Sequence, residues 1–384
     1  MIRSTDLPHT NVSQPPQRLF GAHLSIAGGH ERAVEAAADR NMTTVQIFTK
    51  STQQWVGKPL RPSSIAAFRR AVATHGIERP VAHASYLINL GSPDPDIRAR
   101  SIDALACEVE RCDALGIEDL VFHPGAHLGD GERVGLERVA QGVWEVLQRT
   151  QDCRVRLDLE TTAGQGTCLG GPLAHLEAIL QQCDARDPGD GSIRDRLAVC
   201  CDTCHLYAFG YDLVDPWGYH ALMEELATRI GLERVRVWHL NDSARECGSR
   251  VDRHAGIGRG RLGLEPFRRL VNEPAFLATP LILETPKGTE AGEDLDLIHL
   301  RTLRGLLGMT TPILPPTPAS TDGGSSPSPK PKRGYRRAGS LPPSQSRPNL
   351  KLDFDPDPDP KFNVTVSSFE PRALSEATDV ECHQ

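Results

Sequence analysis

The sequence predicts an α/β protein, a TIM (β/α)8 barrel followed by a proline-rich tail. Three observations predict it. Eight short β-type runs alternate with longer helical patterns over about 290 residues, the count and size of that fold. Histidines and acids fall at the C-terminal ends of those runs, where such barrels carry their active sites. The first run also lacks the G-x-G-x-x-G turn of a doubly wound dinucleotide fold. Gly28-Gly29 opens the first helix without that spacing.

In chain order the runs are Gly21–Ser25, Val45–Phe48, Val81–Ser85, Leu120–His123, Arg156–Thr161, Ala198–Thr203, Val235–Asn241 and Leu281–Thr285. Between them, apolar residues return at helical steps. In Ile97–Leu115 they are Ile102, Leu105, Val109, Cys112 and Leu115. Asp94 and Asp96 stand where a helix N-terminus favours acids, and Gly116 stands where a helix stops.

Proline marks the end of the barrel. Residues 311–384 hold 14 of the 30 prolines, and apolar periodicity ends near Leu307. Such a segment buries too little apolar surface to offset its ordering entropy, so it is expected to be disordered. The first 18 residues read as a second flexible end, leaving residues 19–310 as the barrel domain. The tail carries nine basic and nine acidic residues, so the net charge of -7 belongs to the body. Its basic cluster Lys330–Arg337 (KPKRGYRR) reads as a solvated charge run, a nuclear import signal or a weak nucleic-acid tether.

Composition excludes several classes. No run approaches the roughly 20 apolar residues of a membrane span, and the N-terminus lacks a secretory h-region. The ten cysteines are scattered, as in reduced intracellular proteins, and the basic cluster KPKRGYRR leaves both a bacterial cytoplasm and a nucleus open. The negative charge argues against gripping nucleic acid by bulk positive charge.

Six consecutive strands each deliver a metal-type residue to one end: His83, His123, Glu160, Asp202 with His205, His239, and Glu284. One such histidine has an ordinary explanation as a core residue. Six strands in succession do not share it, because each places a costly polar group at a strand end. Asp252 and His254 follow in the loop after strand seven, on the same side of an extended segment. Imidazole and carboxylate suit zinc, with manganese or iron as alternatives. Nine donors are too many for one four-coordinate ion. They suit two or three ions with a bridging carboxylate, a grouping whose chemical use is phosphoryl transfer. Cys201 and Cys204 form a lone C-x-x-C and read as packing residues. His23 faces the same mouth, as a phosphate or sugar contact or as a structural hydrogen bonder.

The segments GAHLSIAGG, IFTKSTQQW, HASYLINLGSP, FHPGAH, LETTAGQG, CDTCHLYAFGYD, WHLNDSARECGSRVDRH and LILETP resemble, in order and spacing, the signatures of the endonuclease IV family of apurinic/apyrimidinic endonucleases. The resemblance covers about residues 19–308. It implies a monomeric barrel with three zinc ions, manganese being an alternative at one of them. The implied substrate is double-stranded DNA with abasic sites or blocked 3′ ends. In the family the phosphodiester 5′ to the abasic sugar is hydrolysed, leaving a 3′-hydroxyl and a 5′-deoxyribose phosphate, and the same site cleans 3′ ends.

Carried over by position, His83, His123 and Glu160 would hold one ion. Glu160 would bridge to a second, completed by Asp202, His239 and Glu284. His205, Asp252 and His254 would hold the third. Glu160, Asp202 and Glu284 are then the catalytic carboxylates. The matching DNA-facing loops are Lys50–Trp55 and Ser85–Gly91, with Tyr86 and Leu87 as wedges and Lys50 and Gln53 as further contacts. Gln53 departs from the pattern, since a number of relatives carry an inserting arginine there. The loop Cys183–Arg196 is longer than in compact relatives and reads as a surface insertion. Basic residues of Arg245–Arg261 are expected on the mouth loops, with acids on the outer helices. Two other functions compete: a metal-dependent sugar isomerase or epimerase on the same barrel, and a non-catalytic DNA-damage-binding protein.

Overall fold

The computed structural model describes residues 18–309. The proline-rich tail, its basic cluster and the first 17 residues of the expected flexible end lie outside the described residues. Arg18, assigned from sequence to that end, is buried instead, and its guanidinium donates to the Glu273 carbonyl at 2.7 Å.

Eight parallel strands close into a barrel: β1 (Phe20–Leu24), β2 (Gln46–Phe48), β3 (Val81–His83), β4 (Asp119–Phe122), β5 (Arg156–Glu160), β6 (Leu197–Asp202), β7 (Val235–His239) and β8 (Leu281–Leu283). Each pairs with its neighbour in sequence, and β8 closes on β1 through Phe20 opposite Leu281. The TIM barrel expected from the sequence is therefore present. Several strands stop one or two residues short of the predicted runs.

Helices fill the crossovers: α1 (His30–Asp39), α2 (Pro62–His75), α3 (Pro95–Leu115), α4 (Glu132–Arg149), α5 (Leu173–Asp184), α6 (Thr203–Phe209), α7 (Pro216–Glu225), α8 (Glu265–Val271) and α9 (Leu295–Gly305). The signals read for α3 act as expected. The Asp94 carboxylate accepts from the amides of Asp96 (2.8 Å) and Ile97 (3.2 Å), satisfying donors that the helix leaves open. Gly116 ends it in the left-handed region at φ 80°, where a side chain would be strained. All five residues of its apolar stripe are buried. Cys183 and Asp184, read from sequence as loop, end α5, and the segment 185–196 that follows is organised by Asp187. Its carboxylate accepts from the amides of Gly189, Gly191, Ile193 and Arg194, and these hold it down to about 2.

Inside the barrel, Val81, Val121, Cys200, Val237 and Ile282 form a dry layer. This layer floors the mouth, so the polar residues above it stand on a packed base and water is excluded from beneath them.

Candidate metal centre

The strand-end residues converge at the C-terminal mouth. Both carboxylate oxygens of Glu160, fully buried at the end of β5, are engaged. Oε2 lies 3.0 Å from His83 Nε2 and 2.9 Å from His123 Nε2. Oε1 lies 3.0 Å from His239 Nδ1 and 3.3 Å from His205 Nδ1. His239 Nδ1 also lies 3.4 Å from Glu284 Oε2 and 3.9 Å from Asp202 Oδ2. A two-residue antiparallel ladder, Asp242–Ser243 with His254–Ala255, folds the long loop after β7 back over this group. It brings Asp252 between two imidazoles, 3.1 Å from His205 Nε2 and 3.2 Å from His254 Nε2. All nine residues singled out as metal-type are thus in one cluster.

Backbone and amide groups aim the rings. His83 Nδ1 is 2.8 Å from the Ala84 carbonyl, and His254 Nδ1 is 3.2 Å from the Glu284 carbonyl. A ring nitrogen against a carbonyl must donate, which leaves the opposite nitrogen as a lone pair directed at the cluster. Two aiming residues escape a search confined to ionisable side chains. Gln46 sets its Oε1 2.8 Å from His239 Nε2 and donates its amide to Glu284 Oε1 at 2.8 Å. Asn241 donates to Asp202 Oδ2 at 2.6 Å and accepts the Glu284 amide at 2.9 Å. For Asn241 a signal was available, since it ends the predicted run Val235–Asn241; Gln46 lies inside its run and gives none. His23 joins this network through Gln46 (2.9 Å) and Glu284 (3.3 Å), which favours the hydrogen-bonding role for it.

The electrostatics follow from this crowding. Burial pushes the Glu160 carboxyl up, but the imidazoles of His123 and His239 outweigh it and hold the group well below the usual range. Asp252 behaves likewise between His205 and His254. Burial lowers His239, yet Glu284 and Glu160 carry it to about 9, and Asp202 and Asp252 carry His205 well above its ordinary value.

The donor set fits divalent metal ions. His83, His123 and Glu160 form one group, Glu160, Asp202, His239 and Glu284 a second, and His205, Asp252 and His254 a third, with donor atoms inside each group within 4.8 Å of one another. Imidazole nitrogens and carboxylate oxygens at such spacing suit zinc or manganese.

The rim differs from expectation at one residue. Lys50, expected to contact DNA, is only 5% exposed. Its ammonium lies 3.0 Å from Glu108 Oε1 and donates to the Gln54 carbonyl at 2.8 Å, so it is committed to holding its own loop. Glu108, on α3, also accepts the Ser85 amide at 3.0 Å. Arg111, one turn later, binds the Thr49 carbonyl and donates to the Lys58 carbonyl at 2.8 Å. One helix therefore pins both mouth loops. Gln53 is exposed on the first loop. Tyr86 and Leu87 are half-buried on the second, with the Tyr86 ring stacked 5.9 Å from His123. Arg245, Arg250, Arg253, Arg259 and Arg261 are all exposed; the Arg250 guanidinium lies 4.2 Å over the Phe209 ring, and Arg259 and Arg261 are engaged by Glu290 and Glu246.

Residues 34–303 match the family described as xylose isomerase-like TIM barrel. A protein of Chloroflexus aurantiacus named Probable endonuclease 4 is 46% identical over 285 residues, covering 74% of this chain and 97% of its own length. The chain belongs to the endonuclease IV family. Among solved structures, endonuclease IV from Thermus thermophilus is 37% identical with a TM-score of 0.65, covering 76% of this chain and 98% of its own. A D-tagatose 3-epimerase-like protein, 19% identical with a TM-score of 0.57 over 75% of this chain and 96% of its own, shares the fold alone. Among the described residues no helix is long and apolar enough to cross a membrane.

Proposed function

We propose that this endonuclease IV family member is a zinc-dependent apurinic/apyrimidinic endonuclease, a monomer that incises duplex DNA 5′ to an abasic site. The products are a 3′-hydroxyl and a 5′-deoxyribose phosphate, and the same mouth removes blocking groups from 3′ ends. The observation that carries the reading is the convergence of nine imidazole and carboxylate donors in three adjoining groups. An epimerase on this fold would need far fewer.

Ions bound by these groups would supply Lewis acidity toward a phosphodiester and bring the pKa of a water toward neutrality. The chain's own part is positional. Glu160 divides its two oxygens between the His83–His123 side and the His205–His239 side, fixing the separation of two groups. Gln46 holds Glu284 Oε1 and leaves Oε2 toward His239, while Asn241 holds Asp202 Oδ2 on the cluster side and Asp202 Oδ1 accepts the His205 amide at 2.9 Å. The apolar layer beneath keeps water from entering from below. Tyr86 and Leu87 stand at the rim, where they can fill the space left by an extruded abasic nucleotide. Extrusion costs least where pairing is already absent. Gln53 approaches the groove as a neutral hydrogen-bonding side chain.

Supercoiled plasmid carrying abasic sites tests the reading, with metal analysis of the same preparation. Nicking confined to abasic plasmid, with about three zinc ions per chain, is expected. Retardation without nicking would instead indicate a damage binder. Neither effect, with turnover of a ketose, would indicate an epimerase.

A further inference from the structure

Cys204 reads from sequence as a packing residue, and its neighbours Cys200 and Cys201 do pack in apolar surroundings. The Cys204 sulfur does not. It lies 3.6 Å from the Arg253 carbonyl, and with an Asp202 carboxylate oxygen and a His254 ring nitrogen it forms a compact set in which all three atoms are within 4.8 Å of one another. The geometry has a local cause. Asp202 and Cys204 sit two residues apart on the turn leaving β6. The ladder that pairs Ser243 with His254 presses the imidazole against that turn.

We propose that Asp202, Cys204 and His254 form an alternative cation site that takes a soft or borderline divalent ion, cadmium above all, in place of the ion held by His205, Asp252 and His254. The inference rests on reading the nine-donor cluster as a metal centre. The two sets share His254, so they are mutually exclusive. A thiolate prefers soft ions, whereas the imidazole–carboxylate set has no such donor. Binding is a ligand exchange: a sulfur–metal bond forms, and the Cys204 S–H proton leaves to solvent. The consequence is a centre that soft ions would disable by drawing His254 away from His205 and Asp252 and by engaging Asp202, which the second group also uses, with the His83–His123–Glu160 group left as it is.

The test titrates the full-length protein, as purified, with cadmium chloride and follows the ultraviolet charge-transfer absorption of a cadmium thiolate. A saturable band is expected in the wild type. It should be lost, with apparent cadmium affinity lower by roughly tenfold or more, in Cys204→Ser and in His254→Ala. Asp252→Asn should keep it, because Asp252 belongs only to the competing set. Circular dichroism confirms that each variant is folded, and Cys204→Ala replaces the serine variant if that one is not. Absence of the band in wild type, its persistence without Cys204, or its loss in folded Asp252→Asn would each overturn the proposal. Nicking of abasic plasmid by the zinc-loaded wild type is measured alongside. Its failure would remove the nuclease reading and leave the cadmium result standing.

Discussion

Glu160→Gln is the substitution that bears most directly on the proposed chemistry. It preserves size in a fully buried position while removing the charge and one acceptor oxygen. In the wild type each oxygen faces two imidazoles, at 2.9–3.0 Å on one side and 3.0–3.3 Å on the other. An amide can satisfy only one side, because its NH2 would meet lone pairs or ions on the other. About two charge-assisted contacts are therefore lost, at roughly 1.5–3 kcal/mol each. If these contacts are needed in the transition state, the loss of about 3–6 kcal/mol corresponds to roughly two to four decades in rate. Single-turnover nicking of an abasic duplex should fall about a thousandfold. Binding of the same duplex at fixed salt should survive better, because the Tyr86–Leu87 loop is pinned by α3 independently of Glu160. If Glu160 merely ends a strand, the rate would change by less than about tenfold, or ~1.4 kcal/mol. A variant that nicks at near wild-type rate with wild-type metal content would refute the reasoning.

Lys50→Met leaves the buried Glu108 carboxylate without its cation, and such uncompensated charges cost about 3–5 kcal/mol. The melting temperature should drop and partly recover in Lys50→Met/Glu108→Leu, whereas unchanged stability with weakened DNA binding would return Lys50 to a phosphate-contacting role. Before metal loading, His239 with its pKa near 9 is protonated at pH 7, and an imidazolium is not a ligand. Calorimetry of zinc binding to chelator-treated protein, in buffers of different ionisation enthalpy, should show net proton release and an affinity that climbs with pH until about 9. By the same linkage, the imidazolium's contribution to folding is full below the ordinary histidine value of 6.5 and is lost as pH rises through about 9. A chain ending at residue 310 should nick short oligonucleotides within about threefold of full length, less than ~1 kcal/mol, since the last proposed ligand is Glu284 and α9 ends at Gly305. Unfolding of that truncation would show that the tail belongs to the barrel.

The barrel was legible because its strands are short apolar runs ending in polar residues, and because helix signals such as Asp94 and Gly116 act locally. Strand ends were less legible. Ser85, which reads as the last residue of its run, leaves the ladder because its amide donates to Glu108 on α3 and its hydroxyl to the Thr52 carbonyl. The nine donors were visible because position along a β/α unit alone decides which end of the barrel a residue reaches. The burial of Lys50 was not legible for the opposite reason: nothing near it in sequence shows that Glu108, on a distant helix, lies 3.0 Å from its ammonium. Gln46 and Asn241 were missed because their work is to aim other residues, and an amide within or just past a strand looks like any other polar residue.

The charge of the chain is reconciled at the mouth. The cluster gathers four carboxylates, and by themselves they would oppose a phosphodiester. The imidazoles offset them only while protonated, a condition ligand binding removes. Divalent ions bound there would reverse the local sign and dominate the field of the mouth. The same ions that would activate the phosphate would therefore also admit it. Because the two equilibria share one field, DNA must tighten metal binding by the factor by which metal tightens DNA binding. A net charge of -7 is thus compatible with a DNA enzyme whose grip is confined to one loaded mouth.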